Sequence, residues 1–209
     1  MVIRSMRDVE EGIRALSAIE PRFAECVAVT GLPPLRRAEG GFTGLLRIMV
    51  EQQLSTASAA AIWRRMQESL APLTPESLGR RGDEALRAAG LSRPKIATLR
   101  ALCAAAADGT LDFDLLDRAG DEEVMERLTT IRGIGPWTAE IYMLSCLGRR
   151  DVWPAGDLAL QVAVERTFEL EARPDAKRMR EIGEPWRPWR AVAARVLWSY
   201  YRALRTNPR

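Results

Sequence analysis

Apolar residues recur at three- and four-residue spacing along nearly the whole chain, the pattern of helices that each bury one face. No stretch alternates strictly for long enough to build a sheet, so the pattern predicts an all-α fold. Capping residues and helix breakers divide it into helices over 7–18, 21–30, 42–53, 56–70, 75–80, 83–89, 93–108, 113–118, 121–130, 136–147, 157–169, 175–183 and 188–205. Thr74 stands as a cap before a first-turn Pro75, Asp83 and Asp121 offer carboxylates to the unsatisfied amides of a helix start, and Gly90 and Gly109 read as stops. No internal repeat or low-complexity linker interrupts the series. The punctuation predicts a central helical lobe over 41–147, with 1–40 and 148–209 packing together as a second helical lobe. A cleft between two such lobes is a usual place for a ligand.

Composition narrows the chemistry. A chain of 209 residues that is 47% apolar buries a sizeable core without help. The opening residues lack the pattern of a secretory signal and no run approaches the length of a membrane span, so no membrane association is expected. Cys26, Cys103 and Cys146 are too few and too scattered for a disulfide framework, a thiolate zinc site or an iron–sulfur cluster, which points to a reducing, cytoplasmic setting. One-faced helices without a heptad seam predict a monomer. The basic residues are 29 arginines against only Lys95 and Lys177, a balance suited to an anionic partner. The absence of histidine removes Ser-His and Cys-His nucleophile pairs, His-ligated metals and imidazole acid–base catalysis, leaving carboxylates, hydroxyls, amines and thiols.

The informative stretch is LTTIRGIGPWTAEIY, residues 128–142, in which Gly133 and Gly135 bracket one apolar residue between two helical segments. Such a turn lets the backbone approach a ligand with no Cβ in the way, and the helix that follows offers amides suited to a phosphate. Pro136 fits the first helical turn without loss of a hydrogen bond, and Ile131 and Ile134 are placed to anchor the turn in the core. Alone, this is equally the signature of an ordinary helix–turn–helix corner. Downstream, GRRDVWPAGDLAL ends a breaker-rich loop in Asp157, which opens an amphipathic helix and sits at its positive end. Taken by itself, Asp157 also reads as a plain N-cap.

Together, the hairpin LTTIRGIGPWTAE, the Pro-x-x-Asp loop ending in Asp157, the upstream IMVEQQLSTASAAAI and the C-terminal EPWRPWRAVAARVLW resemble the helix-hairpin-helix DNA glycosylase superfamily, and within it the 3-methyladenine DNA glycosylase II branch. The resemblance runs from about residue 40 to 205. It implies a two-lobed helical fold with the active-site cleft between the lobes. It also implies a monofunctional enzyme of base excision repair that everts a damaged base from double-stranded DNA and hydrolyses its N-glycosidic bond, with alkylated purines as substrates. By the same resemblance Asp157 is the catalytic carboxylate, and Trp137, Trp198, Ile141 and Tyr142 line the base pocket. Gly133, Gly135, Pro136, Trp137 and Thr138 meet the DNA backbone, and Gln53 and Leu54 form the wedge that replaces the everted base. The main-chain carbonyls of Thr129, Ile131 and Gly133 would hold a monovalent cation, Na+ or K+, and no other cofactor is implied. Gly156 stands where some relatives carry a second carboxylate, and Ile141 where some carry a pocket aromatic, which leaves substrate range open.

Relatives that also nick the strand use a lysine at the position held here by Trp137, so no lyase chemistry is expected. Without histidine to protonate the leaving base, the residues favour purines whose alkylation has already made them good leaving groups. The competing readings are a non-catalytic helix-hairpin-helix DNA-binding protein, a glycosylase for deaminated or oxidised bases, and a helical interaction protein unrelated to DNA.

Overall fold

The computed structural model describes residues 2–206. The chain opens with α1 (Met6–Ile19) and α2 (Arg22–Thr30), and continues through α3 (Gly41–Glu51), α4 (Thr56–Leu70), α5 (Pro75–Arg80) and α6 (Asp83–Ala88). It runs on through α7 (Arg93–Ala107), α8 (Phe113–Arg118), α9 (Asp121–Thr129) and α10 (Pro136–Tyr142), and ends with α11 (Leu158–Thr167), α12 (Ala176–Gly183) and α13 (Arg190–Thr206). The expected all-α class is what is observed; among the described residues the only β pairing is an isolated bridge between Val2 and Arg149. The helices form two compact units, one spanning Ala38–Leu147 and one joining Met1–Arg37 to Gly148–Arg209.

In the continuous unit, α3 is the central element. Phe42, Leu45, Leu46, Ile48, Met49 and Val50 are all buried, so the helix is apolar on nearly every side, as a helix surrounded by others must be. It packs against α4, α7, α8 and α10. Gly44 is required by the closeness of that packing: a Cβ there would lie 2.1 Å from the Glu39 carbonyl oxygen and 2.9 Å from Cys146 Sγ.

In the discontinuous unit, α13 packs on α1, α2 and α11. Its buried Ala191, Ala193 and Ala194 keep the helix surface low, and Gly12 of α1 receives Val192, whose side chain comes within 2.7 Å of where a Cβ would stand. The core also holds an aromatic cluster: Trp186 meets Phe23 and Trp153 edge-on, with ring centroids 5.0 and 5.2 Å away, and stacks on Phe168.

The observed helices follow the periodicity closely, with three local departures. Residues 136–147 do not form one α-helix: after Tyr142 the chain widens into a π turn over Met143–Leu147. There the Ser145 carbonyl accepts the Ala38 amide at 3.0 Å, an off-ladder bond of the kind a widened turn permits. The helix expected to reach residue 53 ends at Glu51, because Gln53 turns into the left-handed region at φ +56°. Asp83 and Asp121 are first-turn residues and not caps, the cap positions being Gly82 and Gly120, and the Asp83 carboxylate accepts Arg100 of α7 at 2.8 Å.

Because the wall facing Gly44 is main chain that cannot swing aside, Gly44→Ala is expected to cost about 2–3 kcal/mol of unfolding free energy. Urea denaturation measures this, and a loss under about 0.5 kcal/mol would show that the Glu39 segment yields.

Candidate functional site

In the discontinuous unit, Asp157 is the N-cap of α11, and its Oδ1 accepts the Leu160 amide at 2.8 Å. The same oxygen accepts Nε1–H of Trp198, on α13, at 3.0 Å. A local bond and one spanning 41 residues therefore converge on one atom, which fixes the carboxylate in position and in rotation. Asp157 is half-buried; the preceding Gly156 is exposed with open space where a Cβ would be, and the following Leu158 is 58% exposed. The carboxylate thus sits at an accessible lip and not in the core.

The loop leading to Asp157 is fastened along its length. Asp151 receives Arg190 Nε at 2.7 Å and Arg187 at 2.6 Å, while its carbonyl accepts a second Arg190 nitrogen at 2.8 Å. The Arg150 carbonyl accepts the Ala191 amide at 3.0 Å. Trp153 donates its indole N–H to the Met179 carbonyl at 2.7 Å, and Gln161 Nε2 donates to the Ala155 carbonyl at 3.0 Å. Helix α13 therefore holds the loop at its entrance through Arg190 and at its end through Trp198. The aromatic resemblance pointed to Trp198, but its bond to Asp157 carries no signature in spacing.

In the continuous unit, the hairpin is α9, a turn, and α10. Ile131 and Ile134 are buried and anchor the turn as expected, and Pro136 occupies the first turn of α10 after Gly135 as N-cap. Gly133 has φ +87°, and a Cβ there would lie 1.9 Å from Thr98 Oγ1 of α7, so both conformation and packing demand glycine. Arg132 and Gly133 are exposed, and Trp137 and Ile141 are half-buried.

Two expected site residues lie elsewhere. Tyr142 has no exposed surface: its hydroxyl accepts the Gly41 amide at 3.0 Å, its ring adjoins Phe113, and burial pushes the phenol well above its ordinary range. A side chain enclosed in this way supports the packing of α3 against α10 and presents no face to a base. Thr138 is also buried, and its hydroxyl accepts Gln52 Nε2, so this side chain faces inward and leaves the main chain as the only route to a ligand.

The turn between α3 and α4 displays Gln53, exposed in its left-handed conformation, and Leu54, 39% exposed. Lys95 of α7 reaches across to donate to the carbonyls of Val50 and Gln52, the latter at 2.9 Å. The sequence contained no sign of this contact beyond the oddity of a lysine among arginines. Among the described residues no three acidic, cysteine or histidine side chains cluster as a metal site, and no helix is long and apolar enough to cross a membrane.

Residues 46–188 match the family model of the HhH-GPD superfamily base excision DNA repair proteins. The chain belongs to that superfamily. Its relatives include DNA-3-methyladenine glycosylase 1 of Schizosaccharomyces pombe, 34% identical over 88% of this chain and 83% of that protein. A second is the alkylbase DNA glycosidase-like protein mag2 of the same yeast, 27% identical over 91% of this chain and 93% of the other. Among solved structures, the S. pombe 3-methyladenine DNA glycosylase Mag1 in complex with abasic DNA superposes with a TM-score of 0.84 at 30% identity, covering 90% of this chain and 95% of that one. The matched span takes in the hairpin, the Asp157 loop and the turn bearing Gln53 of this HhH-GPD protein, and stops before Trp198.

Of the two arginines on Asp151, Arg190 has a side chain only 13% exposed and Arg187 one that is 49% exposed. Arg190→Met is expected to lower unfolding free energy by about 2 kcal/mol and Arg187→Met by under about 1 kcal/mol. Equal losses in urea titrations would contradict the distinction.

Proposed function

We propose that this HhH-GPD protein is a monofunctional DNA glycosylase that everts an alkylated purine of the 3-methyladenine type from double-stranded DNA and hydrolyses its N-glycosidic bond. The observation that carries the reading is Asp157, held through one oxygen by the Leu160 amide and the Trp198 indole at an accessible lip. Its similarity to 3-methyladenine glycosylases over most of both chains supports the substrate class.

Cleavage of the bond between base and sugar develops positive charge on the deoxyribose. A carboxylate already fixed where that charge appears stabilises the transition state more than the ground state, with no reorganisation during reaction. At about 4 Å and an effective dielectric near 20, two unit charges attract by about 4 kcal/mol, on the order of a thousandfold in rate. Asp157 is also positioned to orient the attacking water. The chain has no histidine to protonate the departing base, which suits purines whose alkylation supplies the positive charge itself. The half-buried rings of Trp137 and Trp198 are each suited to stack on such a cation, worth about 1–2 kcal/mol when water is excluded. With Trp137 at the second position of α10 there is no amine for Schiff-base chemistry in that place, so hydrolysis proceeds without strand nicking.

Gly133 and Gly135 bring the hairpin backbone to a phosphate, next to exposed Arg132. The carbonyls of Thr129, Ile131 and Gly133 fit a monovalent cation in kind: they are uncharged oxygens at the end of α9 and in the turn beyond it, where intrahelical donors run out. The Ile131 carbonyl also accepts the Ile134 amide at 3.0 Å, which rigidifies that donor set. Na+ or K+ there would supply positive charge towards a DNA phosphate. Gln53 and Leu54 serve as the wedge that fills the gap left by the everted nucleotide. The protein acts as a monomer, in the cytoplasm on nucleoid DNA.

Asp157→Asn is expected to reduce release of methylated purines from duplex DNA by at least about 100-fold while duplex affinity changes less than about threefold. Chromatographic assay of released bases measures the first and fluorescence anisotropy the second. Base release at the original rate would leave a DNA-binding module as the reading. Trp198→Phe keeps an aromatic, though smaller, ring and removes the donor, and is expected to lower the single-turnover rate about tenfold with little change in affinity. A panel of single-lesion duplexes would show preference for deaminated or oxidised bases if the substrate class were different.

A further inference from the structure

We infer that Lys95 is a positioning residue for the wedge, holding the turn Gln52–Leu54 in its projecting shape by donating to the carbonyls on either side of the end of α3. The inference rests on the wedge reading of Gln53 and Leu54 and adds to it the group that fixes them.

The geometry begins where α3 stops. The last carbonyls of a helix lack intrahelical donors and carry the negative end of its dipole, and this is where the Lys95 ammonium sits, on the Val50 and Gln52 oxygens. Gln53 follows at φ +56°, a conformation unfavourable to any side chain with a Cβ, and it needs constraint from both directions. Lys95 supplies constraint from α7, and the Gln52 side chain supplies it from α10 by donating to Thr138 Oγ1. The Leu54 amide closes the turn on the Glu51 carbonyl at 3.3 Å. What remains exposed is the pair Gln53 and Leu54, presented on a turn whose shape is set before any ligand arrives.

The choice of residue supports a specific role. Of 31 basic residues only two are lysines; Lys177 is exposed on α12, whereas Lys95 is half-buried, with burial holding its ammonium below the usual lysine range. A compact head with three donors on a flexible stem serves two carbonyls two residues apart. One turn further along α7, Thr98 packs on Gly133, so a single helical face braces both the wedge turn and the hairpin. A wedge ordered in advance loses less conformational entropy on entering the duplex, and its rigidity appears in the rate of eversion and not in the stability of the fold alone.

The test uses the full chain and a duplex with 2-aminopurine opposite a tetrahydrofuran abasic analogue, where entry of the wedge changes the fluorescence of the orphaned base. In parallel, single-turnover excision of a methylated purine is measured at saturating enzyme, so that only folded, bound protein is read. Lys95→Met is expected to lose most of the fluorescence change and about tenfold in excision rate. Asp157→Asn should keep the fluorescence change while losing excision, which separates failure of the catalytic reading from failure of this one. Lys95→Met with original fluorescence and rate, beside a Gln53→Ala/Leu54→Ala variant that loses both, would overturn the role of Lys95. If that double variant behaves as the original protein, the wedge reading falls and this inference with it. Should Lys95→Met fold poorly, Lys95→Gln, which retains donors without the charge, is expected to give an intermediate loss in both readouts, and original values in it would overturn the proposal.

Discussion

Under the proposed function, the carboxylate of Asp157 has to satisfy a helix and serve a reaction at once. As an N-cap it takes up the Leu160 amide, and that bond alone would leave it free to rock about its side-chain torsions. The indole of Trp198 removes that freedom from a distant part of the chain, and Arg190 on the same helix fixes the entrance of the loop. Electrostatic catalysis requires a charge that stands in place before the transition state forms, because a charge that must be reoriented returns the reorganisation energy to the barrier. The packing of α13 against α1, α2 and α11, which builds the core of the unit, also holds the indole that reaches this oxygen.

The hairpin shows the same economy in the other unit. Gly133 is forced to be glycine by its φ of +87° and by Thr98 pressed against it, and the turn is then nailed down by Ile131 and Ile134. What the turn offers to the outside is main chain, a chemistry common to every sequence, beside the exposed Arg132 side chain. In the proposed reading, that backbone would meet a repeating, uniform polyanion on equal terms at every register, and discrimination would have to come from elsewhere. That division of labour, uniform grip in one place and selective chemistry in another, suits a protein that must pass over many intact nucleotides for each altered one.

Much of this was legible in the residues because it is local. Helix periodicity, the Gly-x-Gly turn, Pro136 and the loop ending in Asp157 each declare themselves within a dozen positions, and the observed helices follow them. The departures come where tertiary contact overrides local pattern. Residues 143–147 have helical spacing, yet they widen into a π turn where Ser145 bonds to Ala38. Tyr142 and Thr138 belong to the motif by position, but packing against α3 and the bond to Gln52 draw them inside. The partners of Asp157 and of the Gln53 turn, Trp198 and Lys95, lie 41 and more than 40 residues away, and such contacts leave no periodic trace in a single sequence.

The discontinuity of one unit bears on how the chain is made. Helices α1 and α2 are made before the unit spanning Ala38–Leu147, whereas α13, which packs on both of them, is made after it. The unit spanning Ala38–Leu147 is contiguous and has its core in hand much earlier. During translation the faces of α1 and α2 that α13 covers stay open until it is made, while the middle of the protein already condenses, so the unit begun earlier is completed later.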